Sequence, residues 1–261
     1  MADKIRFDDG AAYERMMGIW SRRVGKDFLD WLNLPTGRKC VNVGCGNGAF
    51  TELLVERCHP AEVQGVDPSP QQIEFARKRH SAKVAECRQG DAMALPFPDN
   101  RFDAATMALV IFFVPEPARG VAEMARVVRP GGLVAAYAWD MEGGGFPMTP
   151  ILEEVRALGK ETQGPPSVEA SRMESMRKLW SDAGMEAVET RKITVQRTFA
   201  DFEDFWTAST GAGSVRATVE ALSRSEAENI KTRLRATFPA DAEGRITQSG
   251  FANAIKGRVR K

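Results

Sequence analysis

The segment that most constrains the fold is VNVGCGNGAF, residues 41–50, in which an apolar run leads directly into Gly44, Gly46 and Gly48. Apolar residues at helical spacing follow. Glycines at such a turn let the backbone reverse sharply and let a ligand lie against bare amides. The pattern predicts a strand, a nucleotide-type binding turn and a helix. Gly44, Gly46 and Ala49 also satisfy the G-x-G-x-x-A form of the dinucleotide fingerprint.

Short β-branched apolar runs alternate with helical patterns along the first half of the chain, which is typical of parallel βαβ units. The predicted strands cover residues 39–43, 62–66, 84–88, 102–110 and 133–139. The segments between them are long enough for right-handed helical crossovers. We therefore predict an α/β fold built on a parallel sheet.

The second half of the chain adds two more strands, at residues 186–198 and 246–259, where apolar residues alternate with polar ones. The last strand has no crossover of its own, so we expect it to join the sheet antiparallel to the strand at 186–198. Residues 199–245 read as helical, with Ser223 and Glu226 at capping-box spacing. This stretch is predicted to be an insertion that can cover a site.

A predicted amphipathic helix over residues 11–32 precedes the first strand. Its apolar stripe consists of Tyr13, Met16, Met17, Trp20, Val24, Phe28 and Leu32. From the residues alone it is a surface helix with a buried apolar stripe.

Composition excludes several classes of protein. The 261 residues are 43% hydrophobic and 27% charged, as in a globular protein with a full core. The formal charge of +1 provides no overall field that would recruit nucleic acid or an anionic membrane. Four cysteines without paired C-x-x-C spacing indicate free thiols and no metal site. Without an apolar leader or a run long enough to span a membrane, we predict a cytoplasmic protein.

Two carboxylates follow the second and third predicted strands. Asp67, in GVDPSP, can accept hydrogen bonds from both hydroxyls of a ribose, which NAD enzymes also require. Asp91, in QGDAMALPF, lies beside the same crevice and can accept from an exocyclic adenine amine, for which a dinucleotide enzyme has no need. As structural alternatives, Asp67 forms a turn before Pro68 and Asp91 caps a turn or helix.

Four motifs in series carry a resemblance to a known family. They are VNVGCGNG, GVDPS, GDAMALPFPDNRFDAATMALVIFFVPEP and ARVVRPGG. In this order they resemble a class I S-adenosylmethionine-dependent methyltransferase, most of all the type 11 group related to ubiquinone-biosynthesis methyltransferases. The resemblance implies one domain over residues 1–261 with a Rossmann-like seven-stranded sheet, mostly parallel with its last strand antiparallel, and helices on both faces. It also implies a helical lid over residues 10–32 and makes residues 199–245 a cap.

The resemblance further implies S-adenosyl-L-methionine as the cofactor. The loop at residues 44–48 would hold its methionine part, Asp67 its ribose, and Asp91 with the amide of Ala92 its adenine. The candidate cofactor-binding residues are Tyr13, Trp20, Asn42, Gly44, Cys45, Gly46, Asp67, Pro68, Asp91, Ala92, Met93 and Met107.

Asn42 departs from the family pattern, which usually has an acidic residue two positions before the first glycine. An amide still offers an oxygen acceptor without the charge, so we expect cofactor binding to survive in a weakened form. The alternative is a side chain that orders the turn without touching the ligand.

The region after the fourth strand bears on the methyl acceptor. It lacks the N/D-P-P-Y/F sequence with which amino-group methyltransferases grip a planar amine, and residues 109–114 are all apolar. We therefore predict a small apolar or aromatic acceptor. Candidate pocket residues, each also suited to a core, are Phe112, Phe113, Trp139, Phe146 and Trp206.

Three function classes remain at this stage. The first is a methyltransferase acting on a small molecule, and the second is a nicotinamide-dependent oxidoreductase. The third is a cofactor-binding regulatory protein without catalysis, which Asn42 and the lack of an evident general base keep open.

Overall fold

A computed structural model of the chain describes residues 14–79, 84–162 and 164–260. Seven strands form one sheet: β1 Lys39–Val43, β2 Glu62–Asp67, β3 Ala85–Gln89, β4 Phe102–Ala108, β5 Val128–Trp139, β6 Glu186–Phe199 and β7 Ile246–Arg258. Their spatial order is β3-β2-β1-β4-β5-β7-β6. The first five strands are mutually parallel, and β7 runs antiparallel to both of its neighbours, β5 and β6. The predicted seven-stranded sheet is confirmed.

Two strand boundaries differ from the predicted ones by more than one residue. β4 ends at Ala108 because Leu109 takes a positive φ of 60°. β5 begins at Val128, five residues before the predicted start, because Val128 pairs with Phe102 ahead of a register shift. Pro130, which has no N–H to donate, falls inside this irregular segment.

The helices are α1 Ile19–Leu32, α2 Ala49–Cys58, α3 Pro70–Arg77, α4 Pro117–Val127, α5 Thr149–Ala157, α6 Met173–Asp182, α7 Phe202–Thr210, α8 Gly213–Glu220 and α9 Arg224–Thr237. A π-helical turn, Glu14–Gly18, leads into α1, and 3₁₀ turns lie at Ile111–Phe113 and Val168–Ser171.

Helices cover both faces of the sheet at β5 and β7. The ring of Phe28 in α1 lies 4.7 Å from the ring of Tyr137, centroid to centroid. On α6, Trp180 Nε1 donates to the carbonyl oxygen of Val134 at 2.9 Å. Val134 and Tyr137 are three residues apart on β5, so their side chains point to opposite faces. α1 and α6 therefore sandwich this part of the sheet.

The helix at residues 11–32 is confirmed over its described part. Every apolar stripe residue from Met16 to Leu32 is buried, while Tyr13 lies outside the described residues. α1 packs against α2, β6 and β7. The stripe thus belongs to the core.

The region predicted as helical, residues 199–245, forms three helices between β6 and β7. Phe199 itself ends β6, and α7 begins only at Phe202, where the Asp201 side chain accepts from the amide of Asp204. The predicted capping box is present: Ser223 Oγ accepts from the Glu226 amide, and the Glu226 carboxylate accepts from the Ser223 amide. Throughout the described ranges, we find no helix with the length and apolar character needed to cross a bilayer.

Candidate cofactor and acceptor site

The sheet order brings the carboxyl ends of five parallel strands to one edge. Crossovers run in opposite directions from the pair β1 and β4, so a crevice opens between their ends. The glycine loop follows β1, Asp67 ends β2, Asp91 follows β3, and residues 109–113 follow β4. The sequence-predicted cofactor residues that follow these strands therefore lie along one edge of the sheet.

The glycine loop is held by its own backbone and leaves one side open. The amides of Gly44 and Cys45 both donate to the carbonyl oxygen of Val66, at 2.7 and 2.9 Å. Gly44, Gly46 and Gly48 have φ values of 73°, 51° and 84°, which L side chains rarely adopt. A Cβ on Gly44 would lie 2.4 Å from a methyl carbon of Val110, whereas a Cβ on Gly46 would meet nothing within 4 Å. Gly46 therefore faces the space that a ligand can occupy.

Asp67 ties this loop to the start of α3. Its Oδ2 accepts from the amide of Gly46 at 2.8 Å, and its Oδ1 accepts from the amide of Ser69 at 2.9 Å. Burial raises the pKa of the Asp67 carboxyl, and the two backbone hydrogen bonds counteract that shift in part. The turn-forming role is therefore present, and each carboxylate oxygen keeps a lone pair for ribose hydroxyls. Pro68, next in the chain, is exposed.

Asp91 lies in a tight turn beside Asp67. The Gly90 amide donates to the carbonyl oxygen of Asp67 at 3.1 Å, so the ends of β2 and β3 meet. The exposed Asp91 carboxylate accepts from the amide of Met93 at 2.8 Å. Contact of the Asp91 carboxylate and the adjacent Ala92 amide with an adenine stays a prediction.

Asn42 is fully buried and bridges three elements. Its Nδ2 donates to Thr51 Oγ1 of α2 at 2.9 Å, and its Oδ1 lies 3.5 Å from Thr106 Oγ1 of β4. The side chain thus orders the helix that follows the loop. Its use as a cofactor contact stays a prediction, as does that of Met107, which is buried one residue further along β4.

The aromatic residues predicted to line the acceptor pocket lie in different parts of the structure. Phe112 is buried and its backbone carbonyl accepts from the amide of Ser167 at 3.0 Å, whereas Phe113 is exposed, with its ring 4.8 Å from that of Phe112. Phe146 is half-buried in the loop after β5, and Trp206 is buried on α7.

Trp20 and Trp139 are brought together. Their ring centroids lie 6.5 Å apart with planes at 89°, an edge-to-face arrangement. Both rings are buried, and within the described part of the chain neither indole N–H has an acceptor. The N-terminal helix and the carboxyl end of β5 therefore meet at two unsatisfied donors.

The sequence analysis missed two buried polar residues on this side of the sheet. Arg197 of β6 and Gln248 of β7 lie directly opposite each other in register. Arg197 Nη1 donates to the carbonyl oxygens of Arg15 and Met16 at 2.9 and 3.2 Å, and Gln248 Nε2 donates to that of Pro147. The alternation Val195, Arg197, Phe199 placed Arg197 in the inward register, which was the available signal.

The site fits S-adenosylmethionine by its own geometry. The glycine loop presents bare backbone at Gly46, and two carboxylates lie at the ends of adjacent strands. Partial burial of Asp67 shields its carboxylate oxygens from bulk water. These are the groups that a ribose, an adenine amine and an amino-acid moiety require.

Comparisons with known proteins also find methyltransferases. Residues 41–136 match the family described as "Methyltransferase domain". Over 117 residues the chain is 38% identical to 2-methyl-6-phytyl-1,4-hydroquinone methyltransferase 2, chloroplastic, of Oryza sativa subsp. japonica, covering 44% of this chain and 34% of that protein. Over 142 residues it is 34% identical to demethylmenaquinone methyltransferase of Staphylococcus aureus (strain JH9), covering 54% of this chain and 55% of that protein. The aligned parts thus span about a third and about half of the length of these relatives.

A solved structure extends the similarity to nearly the whole fold. The YcgJ protein from Bacillus subtilis superposes with a TM-score of 0.61 at 20% identity, over 91% of this chain and 98% of that one. Together these matches do not favour the nicotinamide-dependent alternative. The motifs and the sheet order agree with the family match, which identifies a methyltransferase domain over residues 41–136.

Proposed function

We propose that this protein transfers a methyl group from S-adenosylmethionine to a small, apolar aromatic acceptor of the hydroquinone type. The observation that carries the proposal is the Asp67 to Gly46 hydrogen bond, which holds an open, side-chain-free loop at the ends of β1 and β2. The two curated relatives are named for a hydroquinone and for demethylmenaquinone, and these names support the acceptor class.

The bound cofactor would supply an electrophilic methyl group on a sulfonium, which an acceptor atom must approach opposite the leaving sulfur. Asp67 would accept the ribose hydroxyls, Asp91 and the Ala92 amide would face the adenine, and the loop at residues 44–48 would lie along the methionine part. Asn42, buried between Thr51 and Thr106, acts on this site by ordering α2.

The residues at the ends of β4 and β5 contribute shape and exclusion of water. Phe112 and Trp139 are buried and apolar, and the adjacent acid, Asp140, accepts from the amide of Gly143 at 2.8 Å within a turn. An electron-rich hydroquinone ring needs positioning more than a strong base. The apolar side chains of Phe112 and Trp139 suit such an acceptor.

The indole N–H groups of Trp20 and Trp139 support an acceptor that carries oxygen. A buried donor without a partner costs about 1–3 kcal/mol, which a ligand oxygen would recover on binding. A hydroquinone offers two ring oxygens that can accept such hydrogen bonds. A pure hydrocarbon would leave both donors unsatisfied.

The direct test uses purified protein, S-adenosylmethionine labelled in its methyl group, and 2-methyl-1,4-hydroquinone kept reduced. We expect label on the ring and equimolar S-adenosylhomocysteine, both read by mass spectrometry, and loss of both with Asp67→Ala. Transfer to a primary amine panel with none to the hydroquinone would overturn the acceptor class.

A second candidate is a protein that binds the cofactor without catalysis. The observation that favours it is Asn42, whose buried amide stands where the family has an acidic residue and is already held by two hydroxyls. Saturable binding of S-adenosylhomocysteine together with no transfer to hydroquinones, phenols, thiols or amines would support this candidate.

We further propose that the chain is one domain in which residues 10–32 act as a lid and residues 199–245 as a cap, and that it works on a small molecule in the cytoplasm without binding nucleic acid. The near-zero formal charge and the packing of α7 on β6 support this arrangement. Limited proteolysis with and without S-adenosylhomocysteine tests it, since one domain should be cut only within these two segments.

A further inference from the structure

Two cysteines meet above a glycine next to the cofactor loop. Cys45 lies in the loop between Gly44 and Gly46, and Cys87 lies on β3. Between them runs β2, where Gly65 pairs with Cys87 in the sheet register. A Cβ on Gly65 would lie 2.7 Å from Cys87 Sγ and 3.0 Å from Cys45 Sγ, so both sulfurs flank the space that this glycine leaves empty.

The two thiols form a buried pair. Both sulfurs lie beside Gly65, and the two side chains belong to a small apolar cluster with Ile73 and Ala76, apart from the main core. Cys45 Sγ also lies 3.8 Å from the carbonyl oxygen of Gly46.

The charges around the pair make its members unequal. The hydrogen bond from Cys45 and the guanidinium of Arg77 lower the pKa of the Cys87 thiol, against the effect of burial. The same hydrogen bond and burial raise the pKa of the Cys45 thiol. Arg77 Nε donates to the backbone carbonyl oxygen of Cys87 at 3.0 Å, which puts a positive charge near this thiol and, since thiolates are the nucleophiles in thiol oxidation, favours Cys87 as the member that reacts first.

We propose that Cys45 and Cys87 are a modification site, at which hydrogen peroxide oxidises the pair to a disulfide that distorts the glycine loop and blocks cofactor binding. The Cys87 thiolate attacks one peroxide oxygen, the O–O bond breaks, and the released hydroxide takes up a proton to become water. The Cys45 thiol then attacks the sulfenic sulfur, the S–S bond forms, and the sulfenic oxygen leaves as a second water. The two thiols lose two electrons and two protons, and peroxide gains them.

Distortion follows from the lengths involved. A disulfide requires an S–S separation of about 2.0 Å, much shorter than a hydrogen bond between thiols. The neighbouring amides of Gly44 and Cys45 are both fixed to the carbonyl oxygen of Val66, and Gly46 is fixed to Asp67. Closing the bond therefore pulls the loop against these anchors and displaces the amides that would face the cofactor.

The experiment oxidises the full chain with a small excess of hydrogen peroxide and maps peptides by mass spectrometry. We expect a crosslink between the peptides that hold residues 45 and 87, a loss of two hydrogens, and at least a tenfold weaker binding of S-adenosylhomocysteine, all reversed by dithiothreitol. Saturating S-adenosylhomocysteine should slow crosslinking, because binding and oxidation exclude each other.

Variants separate this mechanism from general damage. Cys87→Ser should bind S-adenosylhomocysteine as the reduced wild type does and become insensitive to peroxide, with Cys87→Ala as a second variant if the buried hydroxyl impairs folding. Cys58→Ser, on α2 away from the loop, should keep full sensitivity. No crosslink between residues 45 and 87, or a crosslink that leaves affinity unchanged, would overturn the proposal. The peptide map does not depend on the proposed function, whereas failure of the reduced wild type to bind S-adenosylhomocysteine would count against that function alone.

Discussion

Asp67 Oδ2 accepts a hydrogen bond from the backbone amide of Gly46 at 2.8 Å, across the gap between the ends of β2 and β1. A carboxylate that the sequence assigned to a ribose therefore also shapes the loop for the rest of the ligand. The two roles are compatible, because each oxygen accepts one backbone hydrogen bond and retains a lone pair.

Asp67→Ala should weaken binding of S-adenosylhomocysteine by about 1.5–3 kcal/mol, since charge-assisted hydrogen bonds to the ribose are lost. The amides of Gly46 and Ser69 also lose their acceptor, so the free energy of unfolding should fall by about 1–2 kcal/mol. Calorimetric titration and urea denaturation measure the two effects. Affinity within a factor of two of wild type would leave Asp67 with its structural role only.

Binding should also weaken as the pH falls through the pKa of Asp67, which burial raises. The sign follows because the ribose hydroxyls donate to the ionised carboxylate, so protonation competes with the ligand. An Asp67→Asn variant, which does not titrate, provides the matched control and should show a flat profile over that range.

Gly44 and Gly46 give a matched pair that separates folding from binding. A Cβ at position 44 would lie 2.4 Å from Val110, so Gly44→Ala should lower the unfolding free energy by about 2 kcal/mol or more. Gly46→Val adds its side chain into open space, so it should leave the protein folded, with backbone strain of about 1–2 kcal/mol, and abolish binding of S-adenosylhomocysteine. Normal binding by a folded Gly46→Val variant would exclude this loop as the cofactor site.

Trp139→Phe and Trp180→Phe remove the same atoms, but we expect the first to affect acceptor binding and the second to affect the stability of the fold. Trp180 Nε1 donates to the carbonyl oxygen of Val134, so its loss should destabilise the fold by about 1–3 kcal/mol through the unpaired carbonyl, in addition to the lost volume. Trp139 has no acceptor among the described residues, so its change should cost only the volume but raise KM for the hydroquinone at least fivefold. Equal KM values for Trp139→Phe and wild type would remove the indole from acceptor binding.

Glu123 and Arg126 of α4 hold the segment that follows Asp91. The Glu123 carboxylate accepts from the amide of Leu95 at 2.8 Å, and Arg126 donates to the carbonyl oxygens of Leu95 and Phe97 at 3.1 and 2.9 Å. The hydrogen bond from Arg126 is the main cause that lowers the pKa of Glu123. The stabilisation of the fold by the ionised Glu123 carboxylate is therefore fully present above the ordinary glutamate pKa. It is lost as the pH falls through the lowered pKa of Glu123.

Glu123→Gln should accordingly reduce the free energy of unfolding by about 1–2 kcal/mol at neutral pH. The difference from wild type should shrink in acid, where the native glutamate is protonated as well. Denaturation at several pH values tests this, with the exposed Asp99→Asn as the control expected to stay close to wild type. A difference that does not depend on pH would assign the effect to shape instead of charge.

The sequence predicted most of the sheet because its signals are local. Alternation and β-branched runs placed all seven strands, and the glycine loop and Ser223 capping box are defined by residues a few positions apart. What it missed depends on contacts between distant segments. The Asn42 bridge joins β1, α2 and β4, and the Cys45 to Cys87 pair forms only because Gly65, from a third strand, has no side chain.

The N-terminal helix has two interpretations, a lid and an ordinary helix with a buried stripe, and the burial of its stripe supports the second. Val24, Phe28 and Leu32 lie against β6, β7 and α2 as ordinary core, whereas Trp20 lies at the carboxyl end of β5, next to Trp139. We therefore expect the lid to be only the first part of the segment. Hydrogen exchange should be slow for residues 24–32 with and without S-adenosylhomocysteine, and slow for residues 14–20 only with it, because a ligand in the crevice would rigidify the end of the helix beside Trp139. Equally slow exchange over both parts in the free protein would make the whole helix core and end the lid proposal, leaving the methyltransferase fold as it stands.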